Sequence, residues 1–170
     1  LAMKEEETFT FNMAPIRVWT HLADLGAYAF WHPSYRFEGG AEPGKTVKLT
    51  YAMFKGEYRI RADATITGFD KSHRIAWNVG VGGATVFSEA YELEAVGTGT
   101  EIRHSIAFES LMGKVVGRLF RRTFRRAVRA QDLALLSYLK RESRGAAAGV
   151  NRQRRRAQNA RKARRADNDG

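Results

Sequence analysis

Glu89 and His104 are the residues whose type and spacing best suit them to chemistry. Glu89 lies in an alternating run with Phe87, Tyr91 and Leu93, and His104 in one with Ile102, Ile106 and Phe108. A carboxyl group on an apolar strand face is rarely buried without a partner. If the two runs form a hairpin, the imidazole lies diagonal to the carboxyl at ~7–8 Å between backbones, within reach of long side chains. Such a pair can orient a ligand carbonyl or hydroxyl, or work as general acid and base, so Glu89 and His104 are the catalytic candidates. Burial raises the carboxyl pKa and a neighbouring imidazolium lowers it. Tyr51, Tyr58 and Tyr91 bring hydroxyls to the same face, and Trp77 an indole N–H. Other chemistries lack their residues. The chain has no Cys, hence no disulfide, thiolate ligand or Cys nucleophile. Its four His show no ligand spacing, so neither a metal nor a cofactor is expected. There is no Gly-x-Ser-x-Gly elbow and no phosphate-cradling loop; the glycines at 80–83 sit between strands.

The elements that must position these groups are strands. Apolar residues alternate with polar ones from Lys45 to Phe54 (Val47, Leu49, Tyr51, Met53), from Glu57 to Phe69 (Tyr58, Ile60, Ala62, Ala64, Ile66) and from His73 to Val79 (Ile75, Trp77, Val79). The pattern continues over Ala84–Ala95 and Gly99–Glu109, and Glu6–Asn12 carries Phe9 and Phe11 on one side. One apolar and one wet face mark an antiparallel sheet. Turn chemistry sets the register. Lys55-Gly56 places Phe54 by Glu57, Tyr51 by Ile60 and Leu49 by Ala62. Lys71-Ser72 places Asp70 by His73, Gly68 by Ile75 and Ile66 by Trp77. Val81-Gly82-Gly83 places Gly80 by Ala84, Trp77 by Phe87 and Ile75 by Glu89; Gly97-Thr98 places Tyr91 by His104 and Glu89 by Ile106. A one-residue slip would turn any of these sets outward.

Helices complete the pattern. Pro15 suits a first helical turn, with Ile16, Trp19, His21 and Leu22 following at helical spacing up to Gly26. A second short helix, Ala27–Trp31, stops at His32-Pro33. From Met112 to about Glu142, Val116, Phe120, Phe124, Ala127, Val128, Gln131, Leu135 and Leu139 recur at three- and four-residue steps. This helix would run about 45 Å, enough to cover the apolar face of a curved sheet. The arginines from Arg118 to Arg129 read as its solvated side.

Length and charge divide the chain. Its 170 residues suit one domain, at 4–142, plus an extension at 143–170. The net charge is +11, of which the extension holds +7, with nine basic residues against two aspartates. Within it lies a small-residue linker, Gly145 to Gly149, and the segment beyond has too few large apolar side chains to fold alone, so it is expected to be disordered or only nascently helical. No run of apolar residues could span a bilayer and no signal-peptide pattern opens the chain; with the missing Cys this points to the cytoplasm. Clustered Arg would attract nucleic acid or an anionic membrane, though the extension has no aromatic residue to stack on bases. An exposed edge strand would allow a monomer or a homodimer.

Strand, two short helices, six further strands, long helix: this order resembles the helix-grip fold of the START and birch-pollen-allergen (SRPBCC) superfamily, an α+β architecture with a seven-stranded curved antiparallel sheet. The resemblance rests on Pro15-Ile16-Arg17-Val18-Trp19, Trp31-His32-Pro33 and Gly68-Phe69-Asp70, covers about Glu5 to Glu142, and is strongest to the polyketide cyclase/dehydrase and lipid-transport group. It implies an apolar ligand held between sheet and long helix, and in some members aldol cyclisation or dehydration. The expected function is binding of a small hydrophobic or amphipathic molecule, lipid or polyketide-like. Its lining would include Tyr51, Met53, Tyr58 and Ile60, then Trp77, Phe87, Tyr91, Ile106 and Phe108 on the other strands, and Phe120 and Phe124 on the helix. Trp31, His32 and Tyr35 would form the mouth. The alternatives are a cyclase or dehydratase with His104 or Glu89 as general acid or base, and a non-enzymatic module binding nucleic acid, ribosome or anionic membrane through the Arg-rich helix and tail.

Overall fold

The structure is a computed structural model. It describes the backbone of residues 3–53 and 56–168, and their side chains except at 53, 112, 113, 116 and 166–168. The elements are β1 (Met3–Phe11), α1 (Pro15–Ala23), a 3-10 turn (Leu25–Ala27), α2 (Tyr28–Trp31), β2 (Tyr35–Glu38), β3 (Thr46–Met53), β4 (Tyr58–Asp70), β5 (Arg74–Val81), β6 (Ala84–Val96), β7 (Gly99–Phe108), α3 (Leu111–Leu119) and α4 (Arg121–Asn168). The seven strands form one antiparallel sheet in the order β1-β7-β6-β5-β4-β3-β2. This is the α+β helix-grip arrangement.

The register follows the expected pairing at β3–β4 and β6–β7, with Tyr51 opposite Ile60 and Tyr91 opposite His104; Phe54 and Lys55 lie outside the described residues. Elsewhere two bulges change it. The β4–β5 loop takes three residues, pairing Asp70 with Arg74 and Gly68 with Ala76, and a bulge at Thr67 then restores Ile66 to Trp77. The β5–β6 loop is Gly82-Gly83, both at positive φ (61° and 83°), as a tight two-residue hairpin turn requires. Val81 therefore faces Ala84, not Gly80. A bulge at Val86 sets Val79 by Phe87, Trp77 by Glu89 and Ile75 by Tyr91, which corrects the expected partners of Trp77 and Ile75.

The inner face is buried at one end. Ala62, Ala64, Ile66, Ile75, Trp77, Leu93 and Ile102 are all buried there, beneath Val18, Trp19, Leu22 and Tyr28 of the first helical segments. His32 ends α2 because the residue before Pro33 is driven to extended φ/ψ (−77°, 131°).

The expected single C-terminal helix is two, α3 and α4, separated at Phe120. α3 approaches β1, β6 and β7, and packs closely at Gly117, where a Cβ would lie 2.7 Å from Met3 Sδ and 3.3 Å from the Phe108 ring. The arginine stripe is not wholly solvated. Arg121 and Arg125 donate to the two oxygens of Glu5, at 3.0 and 3.2 Å, and Arg129 to Glu7 at 3.2 Å. Steps of four residues put these three on one side of α4, along β1.

The chain divides into two compact units, at 136/137, within α4. The helix continues to Asn168, through the extension from 143 on, expected to be disordered or only nascently helical. Ala, Arg, Lys and Gln are strong helix formers, and they outweigh the two glycines, Gly145 and Gly149. Among the described residues no helix is long and apolar enough to cross a membrane.

Candidate functional site

Because Trp77 faces Glu89 and Tyr91 faces His104, four polar inner-face groups from three adjacent strands meet. His104 Nε2 lies 2.7 Å from Glu89 Oε1, and His104 Nδ1 lies 2.7 Å from Asp132 Oδ1 on α4. Tyr35 from β2 donates its hydroxyl to Glu89 Oε2 at 2.8 Å, and the Trp77 indole donates to the same oxygen at 3.1 Å. Glu89 is 1% exposed and His104 0%. Tyr91 stacks flat on the imidazole, ring centres 4.2 Å apart and planes 10° from parallel.

The electrostatics fix the proton on His104. Burial alone would depress its pKa, but hydrogen bonds from its ring to Asp132 and Glu89 and their negative charge overcome that and push it up to about 9. The ring is an imidazolium donating from both nitrogens. Burial raises the Asp132 pKa, against the pull of His104. Burial and the nearby Glu89 charge hold the Tyr35 and Tyr91 hydroxyls well above 10.

His32 has the opposite fate. Its Nδ1 accepts backbone N–H bonds from Ser34 (3.1 Å) and Tyr35 (2.9 Å), so that nitrogen carries no proton. Burial, then repulsion from the His104 cation, depress its pKa to about 3, with Gln131 opposing. It stacks on Tyr35 at 4.1 Å. Near neutrality one buried histidine is thus charged and the other neutral.

The predicted lining divides into two groups. Trp31, His32, Tyr35, Trp77 and Tyr91 are buried and, with Tyr28, close around the polar network. Glu89 and His104 are therefore enclosed by rings, with Trp77 seated directly on Glu89. Ile106 and Phe108 are buried in an apolar cluster with Val128, against which Phe87 and Phe124 pack half-buried. At the other end the inner face opens: Tyr51 is half-buried, Tyr58 is 62% exposed and Ile60 43%; Phe120, between α3 and α4, is 52% exposed. The Met53 side chain lies outside the described residues. Of the surface hollows, one of about 300 Å³ is lined by Pro15, Ile16, Ser72, His73, Leu93, Glu94 and Ala95, and includes none of the predicted lining. Among the described residues no cluster suits a metal ion.

Asp132 is the residue that reading the sequence missed. It lies four residues after Val128 and three before Leu135, on the apolar stripe of its helix, and that misfit was the available signal.

The comparisons agree with this architecture. Residues 3–144 match the family model described as polyketide cyclase / dehydrase and lipid transport, and the chain belongs to that family, within the SRPBCC superfamily. Similar solved structures include the Zhui aromatase/cyclase from Streptomyces sp. R1128, with TM-score 0.66, 15% identity and coverage of 86% of this chain and 98% of the other. Protein NE0264 from Nitrosomonas europaea aligns with TM-score 0.66, 13% identity and coverage of 83% and 96%. Ara h 8.0201 aligns with TM-score 0.55, 18% identity and coverage of 81% and 99%. At these identities the likeness is one of fold. No curated protein matches the chain.

Proposed function

We propose that the chain binds one small apolar or amphipathic molecule at the open end of its inner face. The apolar body lies along β3 and β4 on Ile60 and Tyr58, and the polar end points toward Tyr51. The observation that carries this is the exposure gradient on β4. Its inner residues run from Tyr58 and Ile60, 62% and 43% exposed, to Ala62, Ala64 and Ile66, all 8% exposed or less. A sheet face that is sealed at one end and presents large apolar side chains at the other is shaped to be covered. Tyr51 stands between the two regions. It pairs with Tyr35, ring centres 5.5 Å apart, and so continues the chain of polar groups from Asp132 through His104 and Glu89.

In this reading Glu89, His104 and Asp132 position the Tyr35 and Tyr51 rings and do not react. A cyclase or dehydratase needs an acid or base with a free valence facing its substrate, whereas each nitrogen of His104 is engaged by a carboxylate.

The test is a titration with 1-anilinonaphthalene-8-sulfonate followed by fluorescence. Saturable binding of one equivalent is expected, with at least tenfold weaker binding in Ile60→Lys, since the ammonium would be desolvated against the probe. Leu133→Lys, at a position 66% exposed on α4, should bind as the unaltered chain does. Absence of saturable binding, or an Ile60→Lys variant that binds normally, would overturn the proposal.

A further inference from the structure

The arginine-rich end of α4 takes no part in the site above. From Gly145 to Arg165 the chain has eight basic residues and no acidic one. All eight, Arg152, Arg154, Arg155, Arg156, Arg161, Lys162, Arg164 and Arg165, are exposed and lie on continuous helix. Their arrangement around that helix is informative. At ~100° per residue, no sector wider than about 80° lacks a cation. Val150, 48% exposed, is the one large apolar residue in the stretch, so there is no apolar stripe.

Each candidate polyanion makes a different demand. A helix lying on an anionic membrane buries an apolar face and needs cations only beside it. Single-stranded nucleic acid is gripped by aromatic stacking, and no aromatic residue follows Tyr138. The major groove of B-form DNA, ~12 Å wide, admits an α-helix and sets a phosphate backbone along each side of it. Only there do cations all round a helix find partners. In A-form RNA that groove is too narrow. Arg152 to Arg165 would span ~20 Å of such a groove. Asn151, Gln153, Gln158 and Asn159, interspersed among the cations, can donate to phosphates or base edges without fixing a sequence.

We propose that this end of α4 binds duplex DNA in its major groove, without sequence preference. This goes beyond the ligand-binding reading and does not depend on it.

The experiment is fluorescence anisotropy of a fluorescein-labelled 20-base-pair DNA duplex titrated with the full chain at 50, 100 and 200 mM NaCl. A parallel titration uses a full-chain variant with Arg154, Arg155, Arg156, Arg161, Lys162, Arg164 and Arg165 all changed to Gln, which keeps helix propensity. With six or more phosphates engaged, affinity should fall at least ~10³-fold between 50 and 200 mM salt. The Gln variant should bind more weakly at every salt concentration and lose less than about tenfold over that range. Circular dichroism should show the same helicity in both. The proposal is overturned by lack of duplex binding at 50 mM NaCl, or by a variant that binds as the unaltered chain does. It is equally overturned by binding as tight or tighter to duplex RNA of the same sequence, to single-stranded DNA or to vesicles with 30% phosphatidylserine.

Discussion

The two buried histidines should give the protein a stability maximum near pH 6.5, falling on both sides. His104 has its pKa raised from 6.5 to about 9 in the folded state, against burial, by Asp132 and Glu89. The folded chain therefore holds this proton more tightly than the unfolded chain. The stabilisation is complete below pH 6.5 and is lost as pH rises through 9. At ~1.4 kcal/mol per unit, the loss is about 3 kcal/mol. His32 has the opposite sign. Its pKa falls to about 3 through burial and the His104 cation, so the unfolded chain binds the proton first. Its contribution is complete above pH 6.5 and disappears as pH drops toward 3, by roughly 5 kcal/mol. Glu5 adds to the acid limb, because bonds from Arg121 and Arg125 outweigh its burial and lower its pKa. The assay is calorimetric unfolding at half-unit steps from pH 4 to pH 10. For a chain of this size ~1 kcal/mol corresponds to ~2–4 °C, so Tm should drop by about 6–12 °C between pH 6.5 and 9.5. His104→Gln should lose the alkaline limb and keep the acid one. Should that variant fail to fold, the Hε1 resonance of His104 in the unaltered chain gives the same answer, with a midpoint near 9. A midpoint at or below 6.5, or a Tm that rises from pH 6.5 to 9, would refute the assignment of a buried imidazolium.

Two substitutions probe the supports of the network. Tyr35→Phe removes the hydroxyl that donates to Glu89 Oε2 and leaves that oxygen with the Trp77 indole alone. Urea unfolding should show a loss of ~1–3 kcal/mol, and a loss under ~0.5 kcal/mol would contradict the contact. Gly80→Ala would place a Cβ 2.6 Å from the Ala84 carbonyl oxygen, at the hairpin that sets the β5–β6 register. It should cost ~1–3 kcal/mol, whereas Gly145→Ala, whose Cβ meets nothing within 4 Å in the helix, should raise helicity by circular dichroism.

Much of the fold was legible because its apolar periodicity is strict. Tyr91 by His104 and Tyr51 by Ile60 followed from counting back from the turns. Trp77 by Glu89 did not, because two one-residue shifts add up there: the loop is Gly82-Gly83 rather than three residues, and Val86 bulges out of the ladder. That one pair decides whether the region around Glu89 is open or filled. Asp132 was hidden for a related reason. A carboxylate on an apolar helix stripe has meaning only once a partner from a distant strand is known. Nothing in the residues next to His32 and His104 announces their different charge. What separates them is whether carboxylates or backbone N–H groups face the ring, a matter of tertiary packing. In the extension, composition without apolar bulk argues against a core, yet says nothing against a helix stabilised by its own backbone.

A small apolar molecule held at the open end of the inner face should survive purification of the chain from the organism that encodes it and be visible in a native mass spectrum recorded without organic solvent. The expected spectrum contains a population heavier than the bare chain by one small molecule, released intact on collisional activation and missing when Ile60→Lys is purified in the same way. A spectrum of bare chain alone, or an adduct kept in full by Ile60→Lys, would contradict it.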